Sequence, residues 1–414
     1  FRTPMKKLTL ILLLFAAAGI AGELWSCTTF LMSGKYTPDG RPILYKHRDT
    51  GTLDNALVFF TDGKYQYIGM VDSKDSWKQE VWGGFNSAGF AIINSAAYNN
   101  NYGDTTKFAD QEGVVMKMAL MSCATLADFE EMLADMPKPL GVDANFGVID
   151  AQGGAAYYET GNFRFKKIDA NDPALAPYGL LIRTNHSFTG TTDVGGGYIR
   201  FAAATEALNM ALAQKKIEPQ YLLNSISRNL KHSLTGVNLR ADLPADAATT
   251  TFRNFEDFIP RTSSASVMMV IGAAEGEDPD NAMMWTLTGF SLTTMAVPVW
   301  VSAGKSLPWV VGMKENMHAP LCDAAMTLKR QLFPITRGSG GKYMNVALLL
   351  NGEKTGFLQK LEPAEDEIFL KTAEMMATLP LKGKPQKEKI QEHYKWLDAY
   401  IIRSYKELFG IEIK

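Results

Sequence analysis

Three residues near the start of the chain could do chemistry together. Cys27 follows a segment with the order of an export leader, and Arg48 and Asp49 close a charged cluster, Lys46-His47-Arg48-Asp49, a short way on. If the Ser26–Cys27 bond is cut, the cysteine gains a free α-amine beside its thiol. A thiol titrates near about 8.5 and an α-amine near about 7.7–8.0. The amine is therefore substantially unprotonated near neutral pH and can act as general base for its own side chain, with no histidine needed. A carboxylate at Asp49 could orient that amine, and Arg48 could hold a thiolate or a substrate charge. The plain alternative for an Arg-Asp pair is a solvated surface contact.

The leader carries the first part of this reading. Arg2, Lys6 and Lys7 precede an apolar run over 8–21 that is too short to span a bilayer, and Gly19 and Ala21 are the small residues a signal peptidase takes. Residues 1–26 are expected to be a signal peptide with a short propeptide. Residues 27–414 are expected to be a single exported domain, periplasmic or extracellular. Position alone leaves three readings of Cys27 open. It is an N-terminal nucleophile, a buried structural thiol, or a lipid-attachment site. Leu24-Trp25-Ser26-Cys27 has the Leu, Ser and Cys of a lipobox but a bulky Trp25 where a small residue belongs.

The residues after Cys27 read as a sheet. Thr28 to Ser33 is β-branched and apolar, Pro38-Asp39-Gly40 makes a turn, and Pro42 to Tyr45 returns. That arrangement would set Arg48 and Asp49 beside Cys27. Hairpins are expected at 57–61 with 65–71, at 78–84 with 90–95, and at 146–150 with 155–160, the last continued by 163–168. Further strands are expected at 179–184, 266–271, 283–287, 293–301 and 344–350. Helices are expected at 111–123, 126–136, 199–213, 219–230, 319–332, 363–379 and 386–409. Strands and helices in blocks point to an α/β (α+β) chain with two mainly antiparallel sheets packed together and helices outside.

Composition narrows the partners. The chain has 414 residues, 21% charged, with a formal net charge of −2. No basic excess is available for nucleic acid. Three cysteines are too few for a disulfide framework, and Cys123 and Cys322 are read by default as buried free thiols. His47, His186, His232, His318 and His393 lie far apart, with no His-Glu-x-x-His or Cys-x-x-Cys spacing, so neither a metal nor a cofactor is expected. No G-x-S-x-G elbow is present. The glycines 195–197 before Arg200 are either a rim loop or an ordinary helix entry.

CTTFLMSGKYTPDGRPILYKHRDTG, from Cys27 to Gly51, resembles the opening of the cysteine N-terminal nucleophile (Ntn) hydrolases, the penicillin acyltransferase and choloylglycine (bile salt) hydrolase-like family. Gly84 to Phe90 is similar to that family's G-x-N-x-x-G hairpin, which leads to an oxyanion-hole asparagine, here Asn94. Arg183-Thr184-Asn185-His186 resembles its Thr-Asn strand end, with Asn185 as a second catalytic position. Tyr198-Ile199-Arg200-Phe201 is similar to the segment that carries a supporting arginine, Arg200. His47 departs from the pattern, standing where the family often has Asn.

The resemblance implies a four-layer αββα sandwich and a secreted amidohydrolase acting on a small linear acyl-amide. Cys27 would attack, Asp49 would orient the amine, Arg48 or Arg200 would hold charge, and Asn94 and Asn185 would bind the oxyanion. The alternatives are a dipeptidase of a related branch, an acyltransferase, and a Cys27-lipidated binding protein. No membrane span is expected after leader removal. The oligomeric state, the acyl group and the leaving amine are not readable.

Overall fold

The computed structural model describes residues 26–106, 110–379 and 386–414. The expected leader, apart from Ser26, lies outside the described residues.

The hairpin signals become two antiparallel sheets. In chain order the strands are β1 (Thr28–Met32), β2 (Ile43–Asp49), β3 (Asn55–Phe60), β4 (Tyr67–Asp72), β5 (Gly83–Asn86), β6 (Ala91–Ala96), β7 (Ala144–Ile149), β8 (Ala155–Thr160), β9 (Phe165–Asp169), β10 (Leu180–Arg183), β11 (Phe252–Asn254), β12 (Ser264–Ile271), β13 (Met283–Thr288), β14 (Val297–Val299) and β15 (Tyr343–Asn345). Strands β3 to β9 follow one another in a seven-stranded meander. The six-stranded sheet has the order β10-β1-β2-β12-β13-β14. The helices are α1 (Glu112–Ser122), α2 (Leu126–Asp135), α3 (Tyr198–Gln214), the single turn α4 (Pro219–Leu222), α5 (Pro320–Leu332), the single turn α6 (Val346–Leu349), α7 (Phe357–Ala377) and α8 (Lys387–Phe409).

The two sheets pack face to face. Leu31, Leu44, Phe85, Ile93 and Met268 meet in one buried cluster. Gly147 on β7 lies so close to Leu44 and Ile93 that any added Cβ would stand 3.1 and 3.2 Å from them. On the outer face of the meander, α1 and α2 bury Val115, Met116, Leu120, Phe129 and Leu133 against Phe90, Ile92, Phe146 and Val148. On the outer face of the other sheet, α3, α7 and α8 contribute Ala204, Leu208, Leu361, Ile368, Ile390, Leu397 and Tyr405. The order of layers is helix, sheet, sheet, helix, as the strand and helix blocks implied.

Alternation along β1 and β2 decides which side chains look inward. Leu31 and Leu44 face the meander, and the Tyr157 hydroxyl donates to Thr29 Oγ1 at 2.8 Å. Phe30 stacks on Tyr45 on the other face, where the Tyr45 and Ser227 hydroxyls share a 2.8 Å hydrogen bond. With Thr29 paired to Lys46, the inward set is Thr29 and Leu31 on β1, with Cys27 just before it, and Leu44, Lys46 and Arg48 on β2.

Several expected elements are redrawn. The helix expected at 363–379 starts earlier, at Phe357, with Pro363 inside it. The Gln359 side chain accepts from the Gly356 and Asn351 N–H groups and caps the true start. The helix expected over 219–230 is one α turn followed by a widened turn over Leu223–Ser227. It ends at Arg228, whose guanidinium is taken by Glu365 and by the Ser291 and Thr294 carbonyls. The strand expected at 344–350 pairs only over Tyr343–Asn345 with β11 and then turns into α6. The strand expected at 293–301 is confined to Val297–Val299 at the sheet edge, where Pro298 is tolerated. Cys123 and Cys322 are buried free thiols, and burial pushes them up to about 11 and about 12. Among the described residues, no helix is long and apolar enough to cross a membrane.

Candidate active site

Cys27 immediately precedes β1, 7% exposed, and lines a cavity of about 330 Å³ between the sheet ends. Lys46, Arg48, Asp49, Trp82, Asn94 and Tyr98 line the same cavity, together with Asp110, Glu112 and Asp143. Ser26 is still joined to Cys27, so the amine in question is here a peptide nitrogen.

Arg200 ties the strand start to the end of β10. Its Nη1 donates to the Cys27 carbonyl at 2.8 Å and to Thr28 Oγ1 at 2.9 Å, and its Nη2 donates to Asn185 Oδ1 at 2.7 Å. Asn185 in turn donates from Nδ2 to the Ala96 carbonyl at 2.8 Å. Full burial lowers the Arg200 guanidinium to about 10. The three-glycine loop makes this reach possible. Gly197, the residue before α3, has φ +78°, and a Cβ there would sit 2.5 Å from Arg200 Nη2. Gly196 donates its N–H to the Asn185 carbonyl at 2.8 Å. Of the two readings of this loop, the structure has the helix entry.

Asp49 is held from three sides. Ser264 Oγ donates to its Oδ1 at 2.6 Å, Arg261 Nε donates to its Oδ2 at 3.1 Å, and His47 Nε2 lies 3.8 Å from Oδ1. Ser264 Oγ also shares a 2.8 Å hydrogen bond with His47 Nε2. Burial outweighs the nearby carboxylate and pushes His47 down to about 4, so this imidazole is neutral. Beneath them Lys329 donates to the Thr262 carbonyl at 2.6 Å, and burial lowers its ammonium to about 7.

Arg48 is engaged elsewhere. Its guanidinium grips Asp72 through both terminal nitrogens, at 2.6 and 3.2 Å, and donates to Asn55 Oδ1 at 2.6 Å. It lies over the Trp82 ring, 4.6 Å from the centroid. Lys46, which sequence reasoning passed over, is an inward cation that makes no ion pair among the described residues. Its Nζ donates to the Trp82 carbonyl at 2.8 Å and to Asn94 Oδ1, while Asn94 Nδ2 donates to Glu112. Burial lowers Lys46 to about 8, although the neighbouring Cys27 sulfur pulls the other way. Strand parity was the signal that could have found it, since Lys46 shares the inward face with Cys27. Tyr98 closes the wall in a left-handed backbone conformation, φ +64°.

The structure thus brings Cys27, Arg48, Asp49 and Asn94 to one cavity, with Asn185 and Arg200 bonded behind Cys27. A sulfur at the head of a strand, two inward-facing sheets and helices on both outer faces decide the architecture. The fold is a four-layer αββα sandwich. No protein-family model and no curated protein matches the chain.

Among solved structures, the chain is similar to three proteins. One is a Caenorhabditis elegans ortholog of N-acylethanolamine-hydrolyzing acid amidase, at 14% identity and a TM-score of 0.39 over 59% of this chain and 92% of that chain. Another is penicillin V acylase from Agrobacterium tumefaciens, at 13% and 0.37 over 67% of this chain and 86% of that one. The third is a mutant conjugated bile acid hydrolase from Clostridium perfringens, at 11% and 0.41 over 66% and 92%.

Proposed function

We propose that the chain is an exported amidohydrolase of the Ntn type that cleaves a small linear amide through Cys27. The observation that carries this is the position of Cys27, buried directly before an inward-facing strand and lining a cavity fed by Lys46, Asp49 and Asn94. A lipid anchor fits poorly there, since its attachment sulfur would lie in the inter-sheet wall and not at the surface.

Once residues through Ser26 are removed, the Cys27 thiol gives its proton to its own α-amine. The sulfur then bonds to the amide carbonyl carbon, and the carbonyl oxygen takes up the negative charge. Asn94 and Asn185 donate to that oxyanion, an interaction that typically contributes about 2.7–4 kcal/mol per donor. The carbon–nitrogen bond breaks as the α-ammonium returns its proton to the leaving amine, which leaves a thioester on Cys27. Water, deprotonated by the same amine, attacks the thioester, the carbon–sulfur bond breaks, and the carboxylic acid departs. Asp49, fixed by Ser264 and Arg261, orients the amine. Arg200 fixes the Cys27 carbonyl and the Asn185 amide.

Replacing Cys27 with Ala or Ser should abolish amide cleavage, and a quenched reaction of the unaltered enzyme should show an acyl group on the Cys27 peptide by mass spectrometry. Retained cleavage in Cys27→Ala would refute the reading.

A further inference from the structure

Lys329, on α5, is a buried cation that the proposed mechanism does not use. It is 5% exposed and makes no ion pair among the described residues. Its Nζ donates to the Thr262 carbonyl at 2.6 Å and to the Ser264 carbonyl at 3.4 Å, and lies 4.9 Å from the centre of the Phe290 ring. Asp49, Asp54 and the Cys322 thiol are the titratable groups whose charge acts on it. An ammonium taken out of water is costly unless the fold needs its hydrogen bonds.

The backbone that carries those two carbonyls is irregular. Along β12, Ser264 faces Asp49 and Ser266 faces Arg48, so Ala265 is an extra residue against β2. A bulge of this kind bends its strand and re-aims a side chain, here that of Ser264. Just before it the chain turns back on itself. The Ser264 N–H donates to the Arg261 carbonyl at 2.9 Å, and the Arg261 N–H donates to Ser264 Oγ at 2.9 Å. The Ser263 carbonyl accepts the Thr50 N–H at 2.9 Å. Ser264 Oγ and Arg261 Nε, which both donate to Asp49, therefore leave one short turn, and two carbonyls of that turn end on Lys329.

We infer that Lys329 is a positioning residue, which holds the Arg261–Ser264 turn in the shape that aims Asp49 at the Cys27 amine. This rests on the proposed amidase, in which Asp49 orients that amine, and adds a residue that acts through the turn and not on the reacting atoms.

The test uses the mature enzyme, beginning at Cys27, and the pH dependence of iodoacetamide labelling of Cys27, followed on its peptide by mass spectrometry. A carboxylate beside the amine favours its protonated form, so Asp49→Asn should move the labelling midpoint down. Lys329→Met should also move it down, by about half a pH unit or more. Ser264→Ala should do the same, and the double variant should shift it no further. Direction separates repositioning from lost charge, because removing a cation alone moves the midpoint up. Lys329→Gln, shorter and uncharged, should give a smaller downward shift, and it carries the test where the Met variant does not fold. An unmoved or raised midpoint in a folded Lys329 variant, or fully additive shifts in the double variant, overturns the inference and leaves the amidase standing, provided that Asp49→Asn moves the midpoint down. No shift in Asp49→Asn overturns both the inference and the proposed role of Asp49.

Discussion

Arg200 joins Cys27 to Asn185 with one guanidinium, donating to the carbonyl of the first at 2.8 Å and to the side-chain oxygen of the second at 2.7 Å. The proposed nucleophile and one proposed oxyanion donor are therefore positioned by a single side chain on α3. That side chain arrives through a glycine at 197 that no other residue could replace without collision.

Arg200→Ala should take the guanidinium donor from three buried acceptors, the Cys27 carbonyl, Thr28 Oγ1 and Asn185 Oδ1, each loss costing about 1–3 kcal/mol. The expected result is a clear loss of thermal stability together with a fall in kcat of tenfold or more. Arg200→Lys, able to meet only part of the fork, should recover stability better than rate. Thermal melts and steady-state kinetics on both variants check this.

Lys46 sets an alkaline limit. Burial lowers it to about 8, so it is charged below that pH and neutral above it. Activity should rise as the Cys27 α-amine deprotonates and fall as Lys46 does, giving a bell-shaped profile. Lys46→Arg, which stays charged, should remove the alkaline limb and leave the acid limb in place. The same shift links to stability. The unfolded state binds the extra proton between about pH 8 and the ordinary lysine value, so folding stability should rise with pH across that window.

His47 works in the opposite pH range. It is buried and neutral, pushed down to about 4 from the ordinary histidine value of 6.5. The unfolded chain takes up a proton that the folded chain refuses, so this contribution is fully present above about pH 6.5 and is lost as pH falls toward 4. His47→Asn should flatten the dependence of the melting temperature on pH over that range. Part of the slope should remain, because burial also depresses His393 to about 4.

What could be read from the chain alone follows from distance along it. The Cys27 strand, its return and the hairpins are local patterns, and they are present. So is the inward face of β2, which follows from alternation once Cys27 is given a direction. Adjacency to Asp49 drew attention to Arg48, while parity places Lys46 on the same wall. The partners of these side chains were out of reach. Asp72 takes Arg48 from the facing sheet, and Ser264, at the start of β12, and Arg261, just before it, take Asp49 from more than two hundred residues away. No spacing rule links such pairs, because the sheet order that joins β2 to β12 is a tertiary outcome. The helix start at Phe357 was hidden for a different reason: Pro363 imitates a first-turn proline, and Gln359 supplies the cap from within the helix.

The central claim is that the working nucleophile is Cys27 with a free α-amine, and the intact mass of the active exported protein tests it most directly. The account predicts a chain that begins at unmodified Cys27 and gains one acyl mass during turnover. A fully active chain that still carries Ser26, or one whose Cys27 bears a diacylglycerol, would contradict it.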